Sequence, residues 1–169
     1  MNWYALHVET GKEEMVQEWL RYYFDQNTLT SIIPKRELLE RKAGRTRIVL
    51  RTLFPGYVLI RVAMDYMVYH KISSIPNLIR IVRGSSYFSE IPDSEIEPIK
   101  QMIDDEGIIN FSEALILDSK VIVISGPLKG REGLIQKIDK RKKRAKIKVV
   151  FNGLERFVDI GIKVLEPVM

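Results

Sequence analysis

One stretch of the sequence decides the fold of the C-terminal third of the chain: Val121-Ile122-Val123-Ile124-Ser125-Gly126-Pro127-Leu128-Lys129-Gly130-Arg131-Glu132-Gly133-Leu134-Ile135. It begins with a run of β-branched residues, which favour strands, and it ends at the start of a second such run. A Gly-Pro pair and two further glycines lie between the two runs. Because glycine permits positive φ and proline fixes φ, the stretch predicts two strands joined by a tight turn.

The residues around this stretch predict a small all-β barrel. Turn residues separate four short strand-like segments, which are 120–124, 133–138, 145–151 and 156–160. Short strands at regular spacing favour a barrel, because closure removes exposed sheet edges. A segment that stays helical until it is recruited is the alternative, and the poor helix propensity of residues 121–124 argues against it.

The residues before the barrel predict a separate α+β domain, in which an antiparallel sheet is flanked by helices. Residues 3–8 predict a strand, and apolar residues recur at helical spacing over residues 12–24. Asp65 is expected to cap a second helix, and a third is expected to begin at Pro92. Strand-like segments between the helices are 31–34, 37–40, 47–50 and 56–62. We therefore predict domains at residues 1–106 and 115–169, joined by a linker at residues 107–114.

Composition and charge restrict the classes of function. The chain of 169 residues has no cysteine, which excludes disulfides and thiolate chemistry. We find no secretion signal and no apolar run long enough to span a bilayer, so a cytoplasmic protein without a membrane partner is expected. Residues 1–111 contain 14 basic and 15 acidic residues, whereas residues 112–169 contain 13 and 7. The excess positive charge in the C-terminal third suggests a polyanionic partner.

The sequence contains little that favours catalysis. Its two histidines, His7 and His70, are far apart and show no metal-ligand spacing. It has no phosphate-binding glycine loop and no nucleophile elbow. The adjacent carboxylates Asp104 and Asp105 are expected to mark the end of the third helix. We therefore predict a monomeric binding protein with no metal and no cofactor, rather than an enzyme.

The densest positive charge lies in one predicted turn and the strand that follows it. Residues 140–144 are all basic, and the next strand alternates basic with apolar residues, so that Lys146 and Lys148 share one face. Neutralising phosphates with such a block gives a large, salt-dependent gain in affinity. A solvated basic face is the alternative to RNA binding, which we favour. The candidate RNA-binding residues are Lys129, Lys137, Lys140, Arg141, Lys142, Lys143, Arg144, Lys146 and Lys148.

Two parts of the chain resemble known modules. Residues 121–135 are similar to the KOW motif of NusG and several ribosomal proteins, with Asp118 where that motif usually has glycine. The segment Leu53-Phe54-Pro55-Gly56-Tyr57-Val58-Leu59-Ile60 resembles the NusG N-terminal domain when it is taken together with Trp3-Tyr4, Lys71-Ile72-Ser73-Ser74-Ile75-Pro76 and Val82-Arg83-Gly84. The chain is therefore identified as a member of the NusG/Spt5 family of transcription elongation factors. This resemblance implies a NusG-type N-terminal domain followed by a KOW barrel.

The resemblance also implies that the N-terminal domain binds RNA polymerase at the clamp helices of the largest subunit. The positions that match this contact are Trp3, Tyr4, Phe54, Pro55 and Tyr57. Aromatic side chains in a desolvated pocket often carry interface energy, and filling the domain core is the alternative role. The basic tip at residues 41–47 and His70 are expected to approach non-template DNA, and a solvated loop is the alternative for them.

The KOW domain of the family more often docks on the termination factor Rho or on a ribosomal protein, and Phe151 is the matching position for such docking. The sequence Phe151-Asn152-Gly153-Leu154-Glu155-Arg156 departs from the family's Phe-Gly-Arg pattern. The dense basic turn instead resembles the specialised LoaP antiterminators, which implies recruitment by a structured leader hairpin in RNA and processive read-through. A general elongation factor that couples polymerase to Rho or the ribosome is the alternative.

Overall fold

The computed structural model describes residues 1–82 and 89–166 of the chain. Its helices are α1 (Glu13–Tyr23), α2 (Tyr66–Ser73) and α3 (Asp93–Met102). Its strands are β1 (Asn2–Val8), β2 (Leu29–Ile32), β3 (Lys35–Lys42), β4 (Arg45–Thr52), β5 (Tyr57–Val62), β6 (Leu78–Ile81), β7 (Ile108–Ile109), β8 (Ser112–Leu117), β9 (Lys120–Ser125), β10 (Ile135–Asp139), β11 (Arg144–Phe151) and β12 (Leu154–Val164). Arg83 and Gly84, which contribute to the N-terminal resemblance, lie outside the described residues.

The chain forms two compact units. The first comprises Met1–Ile33 and Phe54–Ile96, and the second comprises Pro34–Leu53 and Glu97–Met169. The hairpin of β3 and β4 therefore belongs to the same unit as the C-terminal strands.

The first unit contains a four-stranded antiparallel sheet in the order β2-β5-β1-β6. Tyr4, Leu6 and Val8 alternate along β1 and enter a buried core with Val16 and Leu20 of α1. Because alternate residues of a strand share a face, one whole face of the sheet is apolar and packs against the helices. The predicted α+β architecture is confirmed.

The helices of the chain begin and pack as their sequence patterns predict. Asp65 accepts a hydrogen bond of 2.8 Å from the Val68 amide at the start of α2, which confirms the predicted cap. α3 begins directly after Pro92, and its apolar stripe places Ile96 and Ile99 in buried positions.

The second unit contains a five-stranded sheet in the order β10-β11-β12-β8-β9, in which β12 and β8 are parallel and the other neighbours are antiparallel. Its buried residues include Val123, Ala145, Ile147, Phe151 and Ile160. These strands confirm the predicted all-β fold. The hairpin of β3 and β4 pairs along its full length, and β7 runs parallel to the start of β3.

The compact units differ from the domains predicted at residues 1–106 and 115–169. The predicted linker at 107–114 contains β7 and the first residues of β8, because both segments find strand partners, β3 and β12. The hairpin at Pro34–Leu53 groups with the C-terminal strands and not with the N-terminal sheet. Local sequence patterns reveal neither the strand partners of β7 and β8 nor the grouping of the hairpin, because these contacts join segments that are far apart in the chain.

Candidate nucleic-acid interface

The predicted basic turn connects β10 and β11 and has a fixed conformation. Asp139 and Arg144 form the cross-strand pair that closes it, and the four basic residues between them are exposed. An Asp139 carboxylate oxygen accepts a hydrogen bond of 2.9 Å from the Lys142 amide. This bond is the main reason that the pKa of the Asp139 carboxyl lies below its ordinary value. Lys143 completes the turn with a φ of 55°. The turn therefore presents its cations on an ordered backbone.

The strands next to the turn extend the basic surface. Lys137 of β10 pairs with Lys146 of β11, which pairs in turn with Asp159 of β12. Cross-strand partners share one face of a sheet, so these side chains form a row on the outer surface. They line a shallow cavity of about 200 Å³ together with Asp139, Lys142 and Arg144. The predicted alternation along β11 is confirmed, because Ala145 and Ile147 are buried.

Two of the predicted RNA-binding residues form ion pairs within the chain. An Arg144 guanidinium nitrogen lies 3.7 Å from the Asp159 carboxylate, and the Lys148 ammonium lies 3.1 Å from the Glu155 carboxylate. Both acids belong to β12, so sequence reasoning missed these pairs, which depend on the register of β11 and β12. Lys129 is exposed in the turn that follows β9 and does not line the cavity beside β10.

The hairpin of β3 and β4 contacts the basic face within the second unit. A guanidinium nitrogen of Arg36 donates a 2.7 Å hydrogen bond to the Asp159 carbonyl, and Arg144 donates a 3.4 Å bond to the Leu39 carbonyl. Burial lowers the pKa of the Arg36 guanidinium, while the nearby Asp159 acts in the opposite direction. Sequence reasoning did not place the hairpin beside the basic turn, because nothing local signals this contact.

The Gly-Pro turn fixes the path between β9 and β10. Gly126 has a φ of 95°, and a Cβ atom at this position would lie 2.6 Å from the Ser112 Cα. The buried Ser112 hydroxyl accepts a 3.0 Å hydrogen bond from the Leu128 amide, which ties β8 to this turn. Gly130 also has positive φ, whereas Gly133 lies in a short 3-10 helix. Glycine is therefore required at Gly126 for both conformation and space.

Comparison with known proteins supports the family resemblance seen in the sequence. Residues 1–100 match the family described as transcription termination factor nusG, and residues 117–148 match the KOW motif. The chain belongs to the NusG family. The family consists of transcription termination/antitermination factors.

Several relatives are similar to the chain over nearly its full length. The transcription termination/antitermination protein NusG of Helicobacter pylori (strain J99) is 22% identical over 175 residues, which cover 100% of this chain and 99% of the relative. NusG of Buchnera aphidicola subsp. Acyrthosiphon pisum is 27% identical over 171 residues, covering 97% and 94%. A solved structure described as "Domain interaction in Thermotoga maritima NusG" is 25% identical, covers 96% of this chain and 93% of its own, and superposes with a TM-score of 0.56.

The Phe-Pro-Gly-Tyr segment of the NusG N-terminal domain forms a type II turn. Gly56 has a φ of 87°, and the Tyr57 amide donates a 3.2 Å hydrogen bond to the Phe54 carbonyl. Tyr57 is half-buried and stacks on His7 with ring centroids 5.2 Å apart. Pro55 is exposed. The turn therefore leaves Pro55 and part of Tyr57 accessible to a partner.

The other predicted polymerase-binding residues are buried in the chain. Trp3, Tyr4 and Phe54 are 6%, 4% and 2% exposed. Tyr4 belongs to the core of the first unit, which is the alternative role considered for these aromatic residues. Direct contact of the three side chains with polymerase stays a prediction.

Phe151 of the KOW domain is also buried, with 0% exposure, and the Arg156 guanidinium lies 4.9 Å from its ring centroid. Asn152 and Gly153 follow with φ values of 53° and 75° and form the two-residue turn between β11 and β12. Positive φ at both positions is typical of a type I′ hairpin turn, for which Asn-Gly is a favoured pair. A docking role for Phe151 stays a prediction.

Residues 1–82 and 89–166 are the part of the chain that the structure describes. This part contains no group of three or more His, Cys, Asp or Glu side chains that could hold a metal ion. None of its helices is long and apolar enough to cross a bilayer. His70, predicted to approach DNA, is exposed on α2 in the first unit, whereas the basic hairpin tip lies in the second.

Proposed function

We propose that this chain is a transcription antitermination factor that binds RNA polymerase through its N-terminal domain and a nascent RNA hairpin through its KOW domain. The row of Lys137, Lys146 and the exposed turn at residues 140–143 carries this proposal. Positive side chains on an ordered turn and an adjacent strand give a continuous surface for phosphates. When these side chains neutralise RNA phosphates, the counterions that those phosphates held are released, and this release increases the affinity for RNA.

The shape of this surface favours a folded RNA. RNA duplexes are recognised mainly through the spacing of their phosphates and through 2′-hydroxyls, because the deep major groove hides the base edges. Arginine and lysine on a rigid hairpin suit such recognition. This favours a structured leader hairpin as the ligand and a specialised role of the LoaP type.

The polymerase contact is proposed at the turn that precedes β5. Pro55 and Tyr57 supply the accessible surface, whereas Trp3, Tyr4 and Phe54 belong to the buried interior of the domain. A half-buried tyrosine held by a stacked partner loses little conformational entropy when it binds. The expected partner is the pair of clamp helices of the largest polymerase subunit. Binding one conformation of polymerase more tightly shifts its population away from pausing.

The experiment that tests RNA binding reverses the four turn residues Lys140, Arg141, Lys142 and Lys143 to glutamate. Arg144 is left intact, because it forms an ion pair and a backbone hydrogen bond within the chain. We expect loss of binding to a fluorescein-labelled RNA stem-loop and unchanged binding to RNA polymerase. The control variant reverses four exposed basic residues elsewhere, Lys12, Arg21, Arg80 and Lys100. Equal RNA affinity of the turn variant and the unmodified chain would refute the proposal.

A general elongation factor is the second candidate, and exposed apolar residues on the KOW domain favour it. Leu154 and Phe157 of β12 are 61% and 55% exposed and offer a surface for a protein partner such as Rho or a ribosomal protein. Weak RNA binding without preference for a stem-loop, together with recovery of Rho or ribosomal protein on the immobilised chain, would favour this candidate.

A further inference from the structure

A second cavity lies between the β3–β4 hairpin and the basic turn, and both walls belong to the second unit. Its volume is about 620 Å³. The hairpin side contributes Leu39, Glu40, Arg41 and Thr46, and the turn side contributes Arg141, Lys142 and Arg144. We propose that this cleft binds the RNA backbone, so that Arg41 of the hairpin completes the phosphate-binding surface of the KOW domain. This inference rests on the RNA binding proposed above.

The charges that line the cleft are unbalanced. Four of its seven lining side chains are cationic, and Glu40 is the single acid among them. Glu40 accepts two hydrogen bonds of 2.7 and 2.6 Å from Arg51, so its charge is already compensated by a residue that does not line the cleft. The positive charge of the walls is therefore left to attract an anion from outside the chain.

The two walls are held in place by contacts within the unit. Arg144 donates a hydrogen bond to the Leu39 carbonyl and forms an ion pair with Asp159, and Arg36 bonds to the Asp159 carbonyl. With these residues engaged in structural contacts, Arg41, Arg141 and Lys142 are the exposed cations that remain at the opening. An RNA strand that leaves the turn can continue along the hairpin and contact a phosphate at Arg41.

The test compares the binding of two single variants of the full chain to a fluorescein-labelled RNA stem-loop at several salt concentrations. Arg41→Glu removes the hairpin cation from the cleft. Arg47→Glu makes the same change of charge on the paired strand, at an exposed residue that does not line the cleft. We expect Arg41→Glu to weaken binding about fivefold or more and to reduce the salt slope by about one, as for a lost phosphate contact. Arg47→Glu should bind like the unmodified chain.

The remaining outcomes separate this inference from the proposed function. If Arg41→Glu binds normally while reversal of the four turn residues abolishes binding, the cleft inference is wrong and RNA binding by the KOW domain stands. If neither Arg41→Glu nor the reversal of the four turn residues changes RNA affinity, both proposals fail. Equal weakening by Arg41→Glu and Arg47→Glu would indicate a diffuse charge effect and would overturn the inference that the cleft binds RNA.

A DNA hairpin of the same sequence that binds as tightly as the RNA would overturn the assignment to RNA. Both substitutions are at exposed positions, and circular dichroism melting checks that each variant folds.

Discussion

Lys137 and Lys146 lie directly opposite each other on neighbouring strands of the KOW domain, and both line the same shallow cavity. Like charges in this arrangement repel and destabilise a sheet. Asp159 is paired with Lys146 on its other side, and Asp139 lies near enough to Lys137 to interact with its charge, so each lysine has one acidic neighbour that offsets part of the repulsion. A bound phosphate would remove this repulsion, which gives the pair a functional explanation.

Lys137→Gln is expected to stabilise the folded chain while weakening RNA binding. The substitution removes the cross-strand repulsion, so the free energy of unfolding should rise by about 0.2–1 kcal/mol. It also removes one phosphate contact, so the slope of affinity against salt should fall by about one. Urea unfolding and RNA titrations measure the two effects. Lys120→Gln, at an exposed position on β9, is the control and should change neither quantity. A loss of stability in the Lys137 variant would contradict the assigned repulsion.

Gly126→Ala is expected to destabilise the KOW domain strongly. Alanine at this position would have to adopt left-handed backbone, and its Cβ would meet the backbone of Ser112, so we expect the free energy of unfolding to fall by about 2–4 kcal/mol. Gly133→Ala is the matched control, since a Cβ there has nothing within 4 Å and φ is not positive. That variant should be neutral or slightly stabilised, by up to about 1 kcal/mol, because alanine restricts the unfolded chain. Thermal melting of both variants measures the contrast, and similar melting temperatures would show that the turn tolerates a side chain.

The basic turn is expected to lose order in acid as Asp139 becomes protonated. The pKa of the Asp139 carboxyl is lowered in the folded chain, mainly by the hydrogen bond from the Lys142 amide. The ionised form therefore stabilises the turn, and its contribution is complete above the unfolded-state pKa. The contribution disappears as pH falls through the lower folded-state pKa. The NMR shift of the Lys142 amide followed against pH should show a midpoint below 3.8, the ordinary value for aspartate. Asp139→Asn should abolish that transition, and a midpoint at or above the ordinary value would contradict the assigned bond.

Tyr57→Ala is expected to weaken binding to RNA polymerase about tenfold to a hundredfold if the turn before β5 forms the contact, as for a central aromatic anchor. Tyr22→Ala is a suitable control, because Tyr22 is 79% exposed on α1, away from that turn in the sequence. Surface plasmon resonance with immobilised polymerase measures both affinities. Tyr57 also stacks on His7, so the melting temperature of the variant must be measured alongside. Unchanged polymerase affinity in a folded Tyr57 variant would remove this residue from the proposed interface.

Local sequence patterns predicted most of the secondary structure. The alternation along β11 placed Lys146 outward and Ile147 inward, and the cap at Asp65 set the start of α2. The Gly-Pro stretch predicted the turn after β9, and two family motifs identified the class of protein. These features depend on side-chain size, backbone preference and periodicity over a few residues, which a sequence displays directly.

Only the tertiary structure decided which charged groups form contacts within the chain and which remain exposed. Which basic residues are engaged within the chain depends on the register of β11 and β12, which pairs Arg144 with Asp159. The burial of Phe151 and Phe54 likewise depends on packing with distant segments. The sequence alone therefore did not decide whether these side chains fill the core or contact a partner. The cleft at Arg41 forms because the β3–β4 hairpin lies beside the basic turn, about a hundred residues later in the sequence. The sequence by itself thus determined the class of protein and its basic character, because these follow from local composition and motifs. The tertiary structure decided which of those charges remain available for a ligand, because ion pairing and burial are set by contacts between residues distant in the chain.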